Sequence, residues 1–146
     1  MIRIVLDTNV LVAGLLSEKG PPGQIVDLII TGEIDVACDS RILAEYREVV
    51  ARPELRIKQS DAEDVLQHIE RIALHVTPER WPEALPDPDD EPFLAAAEAA
   101  RAICLVTGNT KHFPPESRGR VRVLTPRQFV DSLKRTEEEL GLIADS

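Results

Sequence analysis

Ile4-Val5-Leu6-Asp7-Thr8-Asn9-Val10-Leu11 opens the chain. A short, largely apolar run over residues 2–6 stops at a carboxylate. Such a run reads as a strand of a parallel sheet, covered on both faces. After it, residues 10–16 read as a helix and Gly20-Pro21-Pro22-Gly23 as a loop. A helix over 24–30 and a second strand over 34–38 follow. Asp39 or Ser40 can cap a helix running to about residue 51, which Pro53 closes. Ser60 and Glu63 have capping-box spacing ahead of a helix reaching about residue 73. Residues 74–77, 102–107 and 121–124 read as three more strands. Residues 82–92 form a loop rich in proline and acid, and Pro92 suits the first turn of the alanine-rich helix behind it. Thr125-Pro126 starts the last helix.

This alternation implies an α/β fold: one three-layer, Rossmann-like domain with about five parallel strands and helices on both faces. Residues 1–135 are expected to form the domain and 136–146 a polar tail. Ligands of such sheets sit beyond the carboxyl ends of the strands, near a topological switch. The acids to follow are therefore those just after strands.

Composition narrows the function classes. The chain has 146 residues, enough to bury a core without staples. Hydrophobic residues make up 43% and aromatic ones 3%, so the core rests on Leu, Ile, Val and Ala. The apolar opening is too short for a signal peptide, with Asp7 interrupting it. The longest apolar stretch, residues 10–16, is far below the roughly 20 residues of a membrane span. A cytoplasmic protein without membrane contact is expected. Cys38 and Cys104 lie in apolar runs without a nearby Cys or His, as buried free thiols do. The net charge of −9 counts against a protein that coats nucleic acid. It is compatible with a nuclease whose acids hold cations in one cleft, and it suits a basic partner segment.

Asp7 follows the first strand directly, although a helix cap is an alternative use of an Asp there. Asp87, Asp89, Asp90 and Glu91 crowd one loop, where a helix N-terminus offsets some of the repulsion and a divalent cation would offset more. Glu45 lies on the helix after the second strand. At about 100° per residue it falls at the border of the apolar face made by Ile42, Leu43, Tyr46, Val49 and Val50, whereas Glu48 points fully outward. A ligand has to sit at the border. Thr107-Gly108-Asn109 offers a hydroxyl, a turn and an amide at a further strand end. Lys111, His112, Arg118, Arg120 and Arg122 make the densest basic stretch, able to meet a phosphate backbone or to serve as a solvated edge. His112 reads as a surface or turn residue. An oxygen-only set of candidate ligands suits Mg²⁺ or Mn²⁺ over zinc.

With these residues in view, the chain resembles the PIN domains. Residues 4–11 look like their opening motif, Leu43-Ala44-Glu45-Tyr46 with Val49-Val50-Ala51-Arg52-Pro53 like the second, residues 87–95 like the third, and Leu105-Val106-Thr107-Gly108-Asn109 like the fourth. The likeness is to bacterial PIN proteins that serve as toxins of toxin–antitoxin systems. It implies a Mg²⁺- or Mn²⁺-dependent endoribonuclease with RNA as substrate, a cognate antitoxin as partner, and a homodimer as one possible assembly. By motif position it implies Asp7, Glu45 and Asp90 as the acidic site, with Asn109 as a fourth metal ligand and Asp89, Glu91 and Thr107 as additional candidates. Apart from the resemblance, the basic stretch offers Lys111, Arg118 and Arg120 as candidate RNA contacts, with a solvated surface as the alternative. Many PIN domains carry Asp where this chain has Asn109, and the third motif can shift between Asp90 and Glu91. Two rival functions stay open: a catalytically weak module of the same fold that binds antitoxin or RNA, and a phosphohydrolase of the haloacid dehalogenase type. The latter usually has a second Asp where Asn9 stands.

Overall fold

A computed structural model describes residues 2–145, with side chains described through residue 136. Five strands form one all-parallel sheet: β1 (Arg3–Leu6), β2 (Asp35–Cys38), β3 (Leu74–His75), β4 (Cys104–Val106) and β5 (Val123–Leu124). Their order is β3-β2-β1-β4-β5, so the chain reverses direction across the sheet between β1 and β4. β1 pairs Ile4 with Cys104 and Leu6 with Val106, placing the two strand ends side by side.

Five helices lie between the strands, α1 (Thr8–Leu16), α2 (Pro21–Ile30), α3 (Ser40–Val50), α4 (Gln59–Ile72) and α5 (Glu91–Ala100), and α6 (Pro126–Asp145) follows β5. α1 packs on α2 and α3, α4 on α3 and α2, and α6 on α2, which makes one connected layer. α5 packs on β1, β2 and β4. It carries the chain from the β3 edge across to β4, and a right-handed crossover of that sense puts it on the opposite face. Its alanines allow close approach: Phe93 to Ala97 are all buried against the sheet. The two faces thus enclose the apolar strands, with Ile4, Val5, Leu105 and Val106 fully buried. Cys38 and Cys104 are buried and unpaired, as expected.

Three local expectations are corrected. Pro21 and Pro22 are not loop residues but the first turn of α2, where a missing N–H is harmless because those donors have no helical partner. Gly23, expected in the same loop, is inside the helix, and a Cβ there would lie 2.5 Å from the carbonyl oxygen of Glu18. Ser60 does not cap α4: the helix already begins at Gln59, and Lys58 at the cap position makes no side-chain bond. Gln59 instead donates to the carbonyls of Val50 (2.9 Å) and Ile57 (3.1 Å), which ties the start of α4 to the end of α3. β3 is also shorter than expected, a two-residue exposed edge. The tail expected over 136–146 falls on residues whose side chains lie outside those described, apart from Thr136.

The long connection from β3 to α5 is pinned near its middle. Trp81 is buried and donates through Nε1 to the carbonyl of Ser117 at 2.9 Å, while Ser117 Oγ donates to the carbonyl of Ala84 at 2.9 Å. The acidic segment that follows therefore enters α5 from an anchored loop. Among the described residues, no helix is long and apolar enough to cross a membrane.

Candidate functional site

Asp7 is the residue between β1 and α1, with its N–H donating to the carbonyl of Val106 at 2.9 Å. Its side chain makes no capping bond to α1, so the cap alternative has no support here. Asp7 is 6% exposed, and its Oδ2 accepts the hydroxyl of Thr107 at 2.7 Å from the end of the adjacent strand β4. Burial pushes the Asp7 carboxyl up from its ordinary range, against the Thr107 bond, the nearby Thr8 N–H and the charge of His112.

Glu45 reaches the same place from α3. It accepts a hydrogen bond from the Thr8 hydroxyl, and its carboxyl is raised first by burial and then by the charges of Asp7, Asp89 and Glu48, against that bond. The neighbouring Tyr46 is fully buried, and its hydroxyl donates to the carbonyl of Leu6 at the end of β1, which ties α3 to that strand end. Glu48, one turn on, is 62% exposed and pairs with Arg52 at 3.0 Å. The border of the apolar face and its outside are therefore occupied as helical geometry expects.

Asp90 arrives from a short 3₁₀ turn (Pro88–Asp90) that leads into α5. Asp87 caps that turn by accepting the N–H of Asp89 at 3.0 Å. The Asp90 carboxyl is pushed up to about 6, first by burial, then by the charges of Asp7 and Asp87, with Glu45 adding to them and His112 opposing. Its Oδ2 is buried without a hydrogen bond, although His112 Nδ1 stands 3.4 Å away. That separation is within reach of an ionic attraction but longer than a formed N–H···O bond.

Asp7, Glu45 and Asp90 thus come from three separate elements, and the charge of Asp7 raises both of the others. Asp89 is exposed and bears on Glu45. Glu91 lines a separate hollow with Arg80 and Trp81, so of the two neighbouring acids it is Asp90 that joins Asp7. Thr107 is fully buried and orients Asp7. Asn109 sits in the following loop with its amide nitrogen 3.0 Å from His112 Nε2. Lys111 and Arg120 are exposed, while Arg118 is half-buried and donates through Nε to the carbonyl of Phe113.

Sequence reasoning passed over Thr8, while His112, read as a surface or turn residue, is exposed and ends the short 3₁₀ turn Thr110–His112. A hydroxyl directly beside a strand-end carboxylate was the available signal for Thr8. For His112 no local pattern pointed to Asp90. Asn9, which marked the departure from a haloacid dehalogenase pattern, accepts the N–H of Gly108 at 3.1 Å and joins the β1 and β4 ends.

Among the described residues, no three His, Cys, Asp or Glu side chains stand at ready-made ligand spacing. The donor set still fits a hydrated divalent ion. It offers oxygens only, one of them a buried Asp90 oxygen lacking a hydrogen bond. Mg²⁺ keeps several waters and takes only one or two carboxylates directly. A cleft of about 630 Å³ between β5 and α6, lined by Arg122, Lys134 and Arg135 among others, contains none of these acids.

Comparison with known proteins bears on the fold. The family described as PIN domain matches residues 3–111. An uncharacterized protein of Methanocaldococcus jannaschii, MJ1680, is 25% identical over 145 residues, spanning 92% of this chain and 93% of that protein. Among solved structures, FitAcB from Neisseria gonorrhoeae superposes with a TM-score of 0.57 at 19% identity, covering 84% of this chain and 97% of that one. FitAB bound to an IR36 DNA fragment gives 0.56 at 18% identity, covering 84% and 94%. At those identities the two structures speak for the fold.

Proposed function

This chain belongs to the PIN-domain family, and from that premise we propose that it is a divalent-metal-dependent endoribonuclease and the toxin component of a toxin–antitoxin pair. The observation that carries the reading is the shared field of Asp7, Glu45 and Asp90 at the β1/β4 switch. Burial raises all three, and the charge of Asp7 further raises the other two. Three like charges brought together at a cost to folding are what a cation site requires.

Asp7, Glu45 and Asp90 would hold Mg²⁺ or Mn²⁺, with the Asn109 side-chain oxygen as a further donor in the same loop. A bound ion of this kind supplies an activated water and offsets the charge on the leaving oxygen of a phosphodiester. The chain's own groups prepare the place. Thr107 fixes the orientation of Asp7, and Thr8 fixes that of Glu45. Lys111 and Arg120, exposed on the segment after β4, would contact phosphates and orient RNA. Arg118 would contribute less, since its Nε is engaged with the loop backbone.

FitAB binds an IR36 DNA fragment. By likeness of fold we propose that this chain assembles with a cognate antitoxin in the cytoplasm, with a homodimer as one form it can take. The net charge of −9 favours a basic antitoxin segment. The nuclease domain would span residues 1–135, with 136–146 outside it.

A second reading, a weakly catalytic binding module, is favoured by one observation: the amide nitrogen of Asn109 faces His112 where an acidic ligand would add charge. One assay separates the two. Purified protein with Mn²⁺ or Mg²⁺ should cut single-stranded RNA, and EDTA should stop the reaction. Equal cleavage by wild type and an Asp7→Asn, Asp90→Asn double variant would identify a contaminant and remove the nuclease reading. Tight RNA or antitoxin binding without cleavage would establish the second.

A further inference from the structure

We propose that Asn109 and His112 form a polar relay that positions Asp90, with Asn109 acting as a hydrogen-bond donor to the imidazole. The purpose of the relay rests on the metal-site reading above, but its form rests on hydrogen-bond chemistry alone.

A neutral imidazole has one nitrogen that donates and one that accepts. Asn109 Nδ2 can only donate, and it lies 3.0 Å from His112 Nε2. Nε2 is therefore the acceptor, and the ring proton sits on Nδ1. Nδ1 is the atom that faces Asp90 Oδ2, at 3.4 Å. That oxygen is buried and has no hydrogen bond. A small swing of the ring or the carboxylate brings the pair to the usual N–H···O length of about 2.7–3.2 Å.

An aspartate at 109 would reverse this polarity. A carboxylate only accepts, so it would draw the ring proton to Nε2 and turn the Nδ1 lone pair onto the Asp90 oxygen. Asparagine is thus the side chain that makes His112 a donor to Asp90. The departure from the usual acid at this position exchanges a charge for a fixed N–H on a neighbouring acid.

The backbone reinforces the arrangement. The N–H of Asn109 donates to Thr107 Oγ1 at 3.1 Å, which directs the Thr107 hydroxyl proton to Asp7 Oδ2. The N–H of His112 donates to the carbonyl of Asn109 at 3.2 Å. One loop therefore sets the orientation of both Asp7 and Asp90. Partners of this kind, one bond away from a ligand, commonly govern metal affinity.

The test has two arms on the full chain. In the metal-free protein, long-range ¹H–¹⁵N NMR of the neutral imidazole reports which nitrogen carries the proton, and His112→Gln identifies the signal. The expected result is the Nδ1–H form in wild type, moving toward Nε2–H in Asn109→Asp. A wild-type ring in the Nε2–H form overturns the relay. In the second arm, Mn²⁺ binding is measured by calorimetry or electron paramagnetic resonance. His112→Ala should weaken it by about 10–100-fold, and His112→Gln, which can still donate to Asp90, should recover part of the loss. Where wild type binds Mn²⁺, equal binding by His112→Ala overturns the positioning role. If wild type neither binds Mn²⁺ nor cuts RNA while the Nδ1–H form is present and responds to Asn109→Asp, the nuclease reading fails and the relay stands.

Discussion

Asp7 and Asp39 occupy equivalent places in the fold, each between a parallel strand and the helix that follows it, and both are buried. Their partners differ. Asp39 Oδ1 accepts the N–H of Ile42 at 2.8 Å, and its Oδ2 takes two N–H groups from Arg41 at 2.8 and 3.0 Å. Asp7 makes no cap bond, has the Thr107 hydroxyl on one oxygen, and has no salt bridge among the described residues. A buried carboxylate satisfied by its own helix and an arginine is a structural cap. One left with a single hydroxyl beside two further carboxylates retains capacity for a cation. Position explains the difference: Asp39 follows β2, flanked by β1 and β3, whereas Asp7 lies where the sheet order reverses.

Activity is where the two aspartates should diverge most. Asp7→Asn should lower the rate of metal-dependent RNA cleavage by about 10²-fold or more, close to 3 kcal/mol of transition-state stabilisation. Asp39→Asn should leave the rate near wild type. A larger loss from Asp39→Asn in single-turnover assays would reverse the assignment. Glu45 and Glu48 repeat the contrast along one helix. Glu45→Gln should cost about tenfold or more in rate, while Glu48→Gln, on the outward face with Arg52, should cost little; the opposite ranking would show that the wrong face of α3 had been chosen.

Stability should move in opposite directions at the same two aspartates. Without metal, Asp7→Asn removes one of three converging charges and should stabilise the fold by roughly 0.5–2 kcal/mol. Asp39→Ala removes a cap and should destabilise it by about 0.5–2 kcal/mol. Added Mg²⁺ should raise the melting temperature of wild type through binding linkage, and less so for Asp7→Asn. Thermal melts in EDTA and in millimolar Mg²⁺ decide this. If Asp7→Asn is the less stable protein in EDTA and responds to Mg²⁺ as wild type does, Asp7 is structural after all.

The pH dependence sharpens the contrast. Burial, and then the Asp7 charge, raise Asp90 in the folded protein from 3.8 to about 6. The folded state then holds that proton more tightly than the unfolded chain does. The associated stability is fully present below 3.8 and is lost as pH rises through about 6. Metal-free denaturation between those limits should show stability falling as pH rises, and Asp90→Asn should flatten that slope. An unchanged slope would mean that Asp90 does not titrate against its neighbours. The smallest effect is expected at the rim. Neutral replacements of Lys111 and Arg120 should weaken RNA binding and make its salt dependence shallower, and an unaltered slope in a salt titration would assign both to the solvated surface.

Much of the fold was legible locally. The apolar runs that became β1, β2 and β4 are short and bounded, and the amphipathic spacing of α3 distinguished Glu45 from Glu48 before any contact was known. Errors came where two local signals share one composition. Gly20-Pro21-Pro22-Gly23 can open a helix as readily as form a loop, since the first turn has no use for the N–H that proline lacks. Ser60 and Glu63 had the right spacing for a cap, but the contacts of Gln59 with the end of α3 began the helix earlier.

By itself, the sequence determined the strand–helix alternation, the buried apolar runs and the strand-end positions of Asp7 and Thr107, because each follows from residues close together in the chain. The tertiary structure decided which strand ends meet, that Thr107 bonds Asp7, and that the exposed His112 comes within 3.4 Å of Asp90. The order β3-β2-β1-β4-β5 joins positions that are 100 residues apart. Hydrogen bonds and charge interactions depend on distance in space, and local propensity carries no information about contacts made across such a separation.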